Sequence, residues 1–229
     1  MKNKKLLYII LMFSLLLNLI GCNKRVNTLI THDYNDIDLN KINNYEIQVD
    51  FNPDNRHYSA NQKTTYINTT GEDLKEIYFH LYPRAYGSTK TAPILFESQS
   101  LEENYITGNM EIKTLKINKV DVDFKIGGVT DTILKILLDQ PLNPEEKIEI
   151  YMEYDVKLPQ NIDRFGFGED MFNFGNWYPI LAVYDEKGWN LDPYYSLGDP
   201  FYSDMANYQV QITTPKDIVI ASSGNILSE

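Results

Sequence analysis

Hydrolytic or redox chemistry in this 229-residue chain would have to be assembled from three histidines, one cysteine and 32 carboxylates. A hydrolytic zinc centre wants two imidazoles one helical turn apart and a carboxylate converging on them. His32, His57 and His80 do not meet that pattern: no two lie within a helical turn, and none belongs to H-E-x-x-H. His80 sits inside a strand pattern and reads as a structural histidine. There is no G-x-S-x-G elbow and no P-loop. "GFGED" (Gly166 to Asp170) lacks the strand-to-helix setting that phosphate binding needs. The acid pairs Asp121/Asp123 and Glu145/Glu146 fall in strand or turn patterns and read as solvated faces. Nothing assembles nucleophile, base and orienter. The chain alone is therefore expected to have no catalytic residue, no metal site and no cofactor.

One stretch stands apart. "FNFGNWYPILAVYDEKGWNLDPYY", Phe172 to Tyr195, holds both tryptophans, two phenylalanines and four tyrosines, with Asp185, Glu186 and Asp192 among them. Such rings can stack on a sugar or a peptide. They can equally close one open side of a core, and the area that Trp and Tyr bury favours the core.

The elements that must position these residues read as strands. "YEIQVDF" (Tyr45 to Phe51) alternates apolar and polar, and "NPDNR" after it is turn chemistry. Further strands are expected at Tyr58 to Asn68, Ile77 to Tyr82, Met110 to Asn118, Val120 to Ile126, Asp131 to Leu138, Lys147 to Leu158, Asn207 to Pro215 and Asp217 to Gly224. Arg84 to Gly108 reads as a polar excursion with a short helix near Pro93 to Ser98. Many short strands at close spacing, without amphipathic helices between them, predict an all-β sandwich.

The N-terminus lies outside that fold. Lys2, Lys4 and Lys5 precede an apolar run, Leu6 to Ile20, which is short for a membrane span and suited to a secretory leader. It ends in "LIGC", Leu19 to Cys22, which resembles the bacterial lipobox, where the cysteine is lipidated and becomes the new N-terminus. Cys22 is the only cysteine, and lipidation accounts for a lone thiol in an exported chain. The expected organisation is a lipoprotein signal peptide over 1–21, a lipid-anchored tether over 22–43 and a β-domain over 44–229. Removing residues 1–21 takes away three Lys and no acid, so 21 basic residues become 18 against 32 acidic, a net charge of −14. That disfavours nucleic acid as a partner and leaves the lipid, not charge, to hold the protein on the extracytoplasmic face of the cell membrane.

Two blocks carry a family resemblance. "FNPDNRHYSANQKTTYINTTGEDLKEIYFHLYPRAY" and "NWYPILAVYDEKGW…DPYYSLGDPFYSDMANYQVQITTPKDIVIASSG" resemble the N-terminal β-domain of zinc aminopeptidases of the aminopeptidase N family, in a bacterial lipoprotein branch. The resemblance covers Asn44 to Gly224. Its identifying residues here are Trp177, Tyr178, Pro179, Tyr184, Asp185 and Trp189. It implies a saddle-shaped β-sandwich that packs on a separate zinc-holding catalytic domain carrying H-E-x-x-H and a G-x-M-E-N loop. "GNMEI" (Gly108 to Ile112) has Ile112 in place of that Asn and opens a strand, so it reads as coincidence. The resemblance thus implies the non-catalytic front part of a membrane-anchored enzyme, truncated before its catalytic domain, with zinc and peptide substrate belonging to the intact enzyme. It also implies that an acid shortly before the "Y-P" block, Glu169 or Asp170, helps hold the substrate's amine. The alternative from the residues alone is a free-standing surface lipoprotein that binds a peptide or glycan through its aromatic region; a structural interaction module is a third reading. If the last strands of the domain are missing, "DIVIASS" is expected to form an open apolar sheet edge. The isolated chain is then expected to be marginally stable or to need a separately encoded partner.

Overall fold

The structure, a computed structural model, describes residues 38, 41–93, 105–198 and 201–228. The signal peptide, Cys22, His32 and most of the tether lie outside the described residues, as does the helix expected near Pro93 to Ser98 beyond Pro93 itself. The described strands all belong to the unit Asn40–Glu229.

The strands are β1 (Asn43–Asn52), β2 (His57–Ile67), β3 (Leu74–His80), β4 (Asn109–Ile117), β5 (Val120–Asp121), β6 (Phe124–Gly127) and β7 (Ile133–Leu142). They continue with β8 (Lys147–Lys157), β9 (Phe165–Phe167), β10 (Phe172–Phe174), β11 (Ile180–Leu181), β12 (Tyr184–Asp185), β13 (Gly188–Trp189) and β14 (Ala206–Thr213). A six-stranded sheet runs β14-β1-β2-β8-β4-β5, and a four-stranded sheet runs β11-β3-β7-β6. β9 with β10 and β12 with β13 form separate two-stranded ladders. The ladders are antiparallel except β1 with β14, which is parallel in the register Asn43 to Ala206 through Asp50 to Thr213. The architecture is the all-β sandwich that the alternation predicts.

Period-two patterning builds this core directly. On β1, Tyr45, Ile47, Val49 and Phe51 are buried while Glu46, Gln48 and Asp50 face solvent. On β8, Ile148, Ile150, Met152, Tyr154 and Val156 turn inward in the same way. The inner rows of the large sheet join Ile77, Phe79, Leu134 and Ile136 of the small sheet in one apolar cluster. At about 25 cal/mol per Å² of apolar surface, that shared cluster is the main force holding the two layers together.

Two expected strands turn out differently. Val120 to Ile126 is not one strand but two in different sheets, β5 and β6. Asn118 and Lys119 both take positive φ, 48° and 74°, and make a two-residue hairpin that pairs Ile117 with Val120. After two residues the chain leaves the large sheet, and Phe124 pairs with Ile136 in the small one. Alternation is preserved across such a corner, so the pattern alone cannot reveal it. Asp217 to Gly224 forms no strand. Pro215 starts a turn, closed by the Ile218 amide donating to its carbonyl at 3.1 Å, and Val219 is 94% exposed. A strand needs a ladder partner, and no described strand pairs with this run. Among the described residues the edge strands of the large sheet are β14 and β5, and "DIVIASS" is not one of them.

Candidate functional site

The aromatic stretch is pinned to both sheets. β11 adds to the small sheet by pairing Ile180 with His80. Immediately before it, Trp177, Tyr178 and Pro179 lie over the inner face of the large sheet. The Trp177 carbonyl accepts from the Tyr58 hydroxyl, and the Pro179 carbonyl accepts from Gln62 Nε2 at 2.9 Å. Gln62 is fully buried; it also donates to Thr64 Oγ1 at 3.0 Å and accepts from the Tyr154 hydroxyl at 3.3 Å. A buried amide with these partners is satisfied, and it fixes the height of the Trp-Tyr-Pro segment above β2. The Tyr45 hydroxyl accepts the Leu181 amide at 3.1 Å.

The rings continue this attachment. Trp177 meets Tyr58 edge-on at 5.8 Å and Tyr178 at 5.3 Å. Tyr178 packs edge-on against Tyr45 at 5.5 Å, and Tyr45 stacks on Tyr208 of β14 at 4.9 Å. Desolvation raises the Tyr58, Tyr45 and Tyr178 hydroxyls well above the ordinary phenol range, so they act as neutral hydrogen-bonding groups. A second group forms around the β12–β13 hairpin. Trp189 packs against Tyr184 at 5.3 Å, Tyr78 at 5.7 Å and Tyr66 at 6.3 Å. Asp185 Oδ1 accepts the Lys187 amide at 2.8 Å and closes the turn, while the Tyr184 hydroxyl donates to Glu72 at 3.0 Å. Trp177, Tyr178, Pro179, Tyr184, Asp185 and Trp189 thus occupy two adjoining structural clusters.

Glu169 and Asp170 stand apart from both. They are the two acidic residues of the turn between β9 and β10, exposed together with Met171, and the Gly168 amide closes the turn by donating to the Met171 carbonyl at 2.9 Å. Neither side chain has a hydrogen bond or ion pair among the described residues. Glu169 lines an open depression of about 450 Å³ with Gln160, Asn161, Ile162, Phe167 and Gly168. Gly166 lets this hairpin sit close to the preceding loop: its φ is +141°, and a Cβ there would meet the Pro159 and Asn161 carbonyl oxygens at 2.6 Å. Phe174 of β10 packs on Phe51 at 5.2 Å and Tyr58 at 5.6 Å. Tyr58 is therefore the ring that joins the Glu169–Asp170 hairpin to Trp177.

Residues beyond those picked out by pattern complete the region. Arg56 lies over the Phe167 ring at 4.1 Å, and Arg164 donates to the Gly198 carbonyl at 2.7 Å while facing Phe201 at 5.3 Å. Neither is signalled locally, since the sequence distances that join them are long. The arrangement offers two adjacent exposed carboxylates, Glu169 at the rim of a depression and Asp170 beside it, on a hairpin joined to the aromatic block through Phe174 and Tyr58. It could hold a cation; it contains no nucleophile–base pair.

Among the described residues, the two histidines His57 and His80 lie in separate settings. His57 lies on the exposed face of the large sheet with Nε2 3.7 Å from Asp155. His80 is buried in β3, donates Nε2–H to the Asn190 carbonyl at 3.2 Å, and stacks on Tyr82 at 4.8 Å. Among the described residues no three His, Cys, Asp or Glu side chains are grouped to hold a metal ion. This donor set does not fit zinc, and no step through zinc follows from it.

No family model matches the chain, and no curated protein matches it. Solved structures do resemble it. A mutant M1 zinc metallopeptidase from Deinococcus radiodurans with a bound Tyr-Ser-Ala substrate aligns at 16% identity and a TM-score of 0.47, covering 82% of this chain and 35% of that one. A mutant two-domain M1 zinc metallopeptidase bound to L-arginine aligns at 17% identity and a TM-score of 0.49, with the same coverage. The chain spans about a third of the length of these structures.

Proposed function

We propose that this chain is the non-catalytic N-terminal β-domain of a membrane-anchored zinc aminopeptidase, and that it forms the substrate-side wall of the peptidase site in the intact enzyme. One observation carries the reading: the sequence block Trp177-Tyr178-Pro179 through Tyr184-Asp185 and Trp189 is built as a rigid wall, with an acidic hairpin linked to it through Tyr58. The rings are committed to packing, which supports a wall over a free stacking platform for sugars. Zinc, the H-E-x-x-H helix and the nucleophilic water belong to the catalytic domain. What this chain contributes is position and charge. A peptide's free N-terminus is an ammonium, and a carboxylate at Glu169 or Asp170 would receive it through a charge-assisted hydrogen bond. Lipidated Cys22 would hold the assembly on the extracytoplasmic face of the membrane.

The test is kinetic. In the intact enzyme, Glu169→Gln or Asp170→Asn should raise KM for substrates with a free amine by about ten-fold or more, the size of a lost hydrogen bond to a charged group. N-blocked substrates should be unaffected. Assayed alone, this chain should release no N-terminal residues from peptides. Zinc-dependent release by the chain alone would overturn the reading, and so would wild-type KM in both variants as regards the amine-holding role.

A further inference from the structure

After Trp189 the chain crosses the His80 end of β3, and the segment from Asn190 to Gly198 is fastened there at three points. At its start the Asn190 amide donates to the Val183 carbonyl at 2.8 Å, and the Asn190 carbonyl accepts Nε2–H of His80 at 3.2 Å. In its middle Tyr194 packs edge-on against Tyr82 and Tyr86, both at 5.8 Å, with its hydroxyl 3.2 Å from that of Tyr86. At its end the Gly198 carbonyl accepts from Arg164 at 2.7 Å. Of the groups in these contacts, only His80 changes charge in mild acid. A carbonyl only accepts, so Nε2 of His80 carries the proton and Nδ1 holds a lone pair. Nδ1 is buried and has no partner among the described residues. For a neutral ring that is one unmade acceptor bond. For an imidazolium it is a buried charged donor without an acceptor, which costs far more.

The surroundings of the ring do not supply that acceptor. β7 and β11 place Ile133 and Ile180 opposite His80. On its own strand the Tyr78 hydroxyl donates to Glu76, which pairs with Lys135 at 2.5 Å. Tyr82 stacks on the ring at 4.8 Å, and burial keeps its phenol neutral. Arg84 is turned to the carbonyls of Asp131 and Met110, both at 2.7 Å. The carboxylate that bears on the ring is Asp192, which is exposed and lies on the crossing segment itself. Burial outweighs it. We propose that Asn190 to Gly198 is an acid-released strap, fastened over Tyr82 and Tyr86 by neutral His80 and unfastened when the ring takes a second proton. Lifting the strap from Asn190 to Tyr194 wets Nδ1 and frees Asp192 to pair with the imidazolium. The β12–β13 hairpin and the Arg164–Gly198 bond hold the two ends. Closed, the ring has a pKa of about 4, and wetted it returns towards 6.5. Each pH unit below 6.5 therefore favours opening by about ten-fold until the closed ring itself titrates. This inference stands whether or not the peptidase reading holds, and every group it uses lies within the described residues.

The experiment is residue-resolved amide hydrogen exchange on the full chain in mild detergent, from about pH 7.5 to about pH 4.5, corrected for the intrinsic pH dependence of exchange. The Asn190 amide should lose protection by about ten-fold for each pH unit below 6.5. At every pH it should exchange at least roughly ten-fold faster than the amides of the β2–β8 ladder, because lifting a strap breaks fewer contacts than unfolding the sheet. His80→Gln keeps an N–H for the Asn190 carbonyl and cannot be protonated, so its Asn190 protection should not vary with pH. Three results would each overturn the proposal. One is protection at Asn190 that is flat with pH in the unaltered chain. Another is protection equal to that of the β2–β8 ladder, which means exchange only through global unfolding. The last is a slope that persists in a folded His80→Gln protein. The first two are read from the unaltered chain, so the proposal is decided even if the variant does not fold.

Discussion

His80 shows how far one side chain can tie the fold to pH. It is 1% exposed, and burial holds its pKa down at about 4, against 6.5 for a free histidine. The unfolded chain therefore takes up the proton first. Stability from the neutral ring is complete above pH 6.5 and is lost as pH falls through that window towards 4, by about 3 kcal/mol in all. Thermal melts of wild type should fall steeply across this range, and those of His80→Leu should lose that share of the slope. An unchanged slope in the variant would place the acid sensitivity elsewhere. Reading His80 as structural needed only its place in a strand-like run, Ile77 to Tyr82. The role of Gln62 was not legible in the same way. On β2 it falls on the inner face between Ala60 and Thr64, where a polar residue looks like a break in the pattern. Its partners Pro179 and Tyr154 lie 117 and 92 residues away. Only the fold brings them together.

At the scale of elements, β1, β2, β4, β7 and β8 were legible because each has one buried and one solvated face, and a period of two records that difference. The misread elements are those where partner choice, not periodicity, decides. β5 and β6 share one alternation but belong to different sheets, and the run after Pro215 alternates with no described strand paired to it. The Glu169–Asp170 hairpin depends on a further feature, the close seat of Gly166 against two carbonyl oxygens. Gly166→Ala should push β9 away from the Pro159–Asn161 loop and destabilise the domain by about 1–3 kcal/mol, given the strained φ and the steric contact. Hydrogen exchange would report it as faster exchange at Phe167, whose amide donates to the Pro159 carbonyl at 2.9 Å. Unaltered exchange there would mean the loop absorbs the methyl group.

On the scale of the whole molecule, Tyr208, Val210 and Ile212 form an uncovered apolar row on β14, while Val120, Val129, Leu137, Ile162 and Met171 are exposed elsewhere in the described residues. Apolar rows of this kind mark surfaces that meet another body. They fit the proposed role of a domain that packs against a catalytic domain. The most direct test of the central claim is capture of this chain, through an affinity tag, from detergent-solubilised membranes of the cell that makes it. The captured material should come from the membrane fraction and should hydrolyse unblocked peptides from the N-terminus in a zinc-dependent way, while the chain purified alone does not. Captured material without aminopeptidase activity, or activity in the chain alone, would contradict the account.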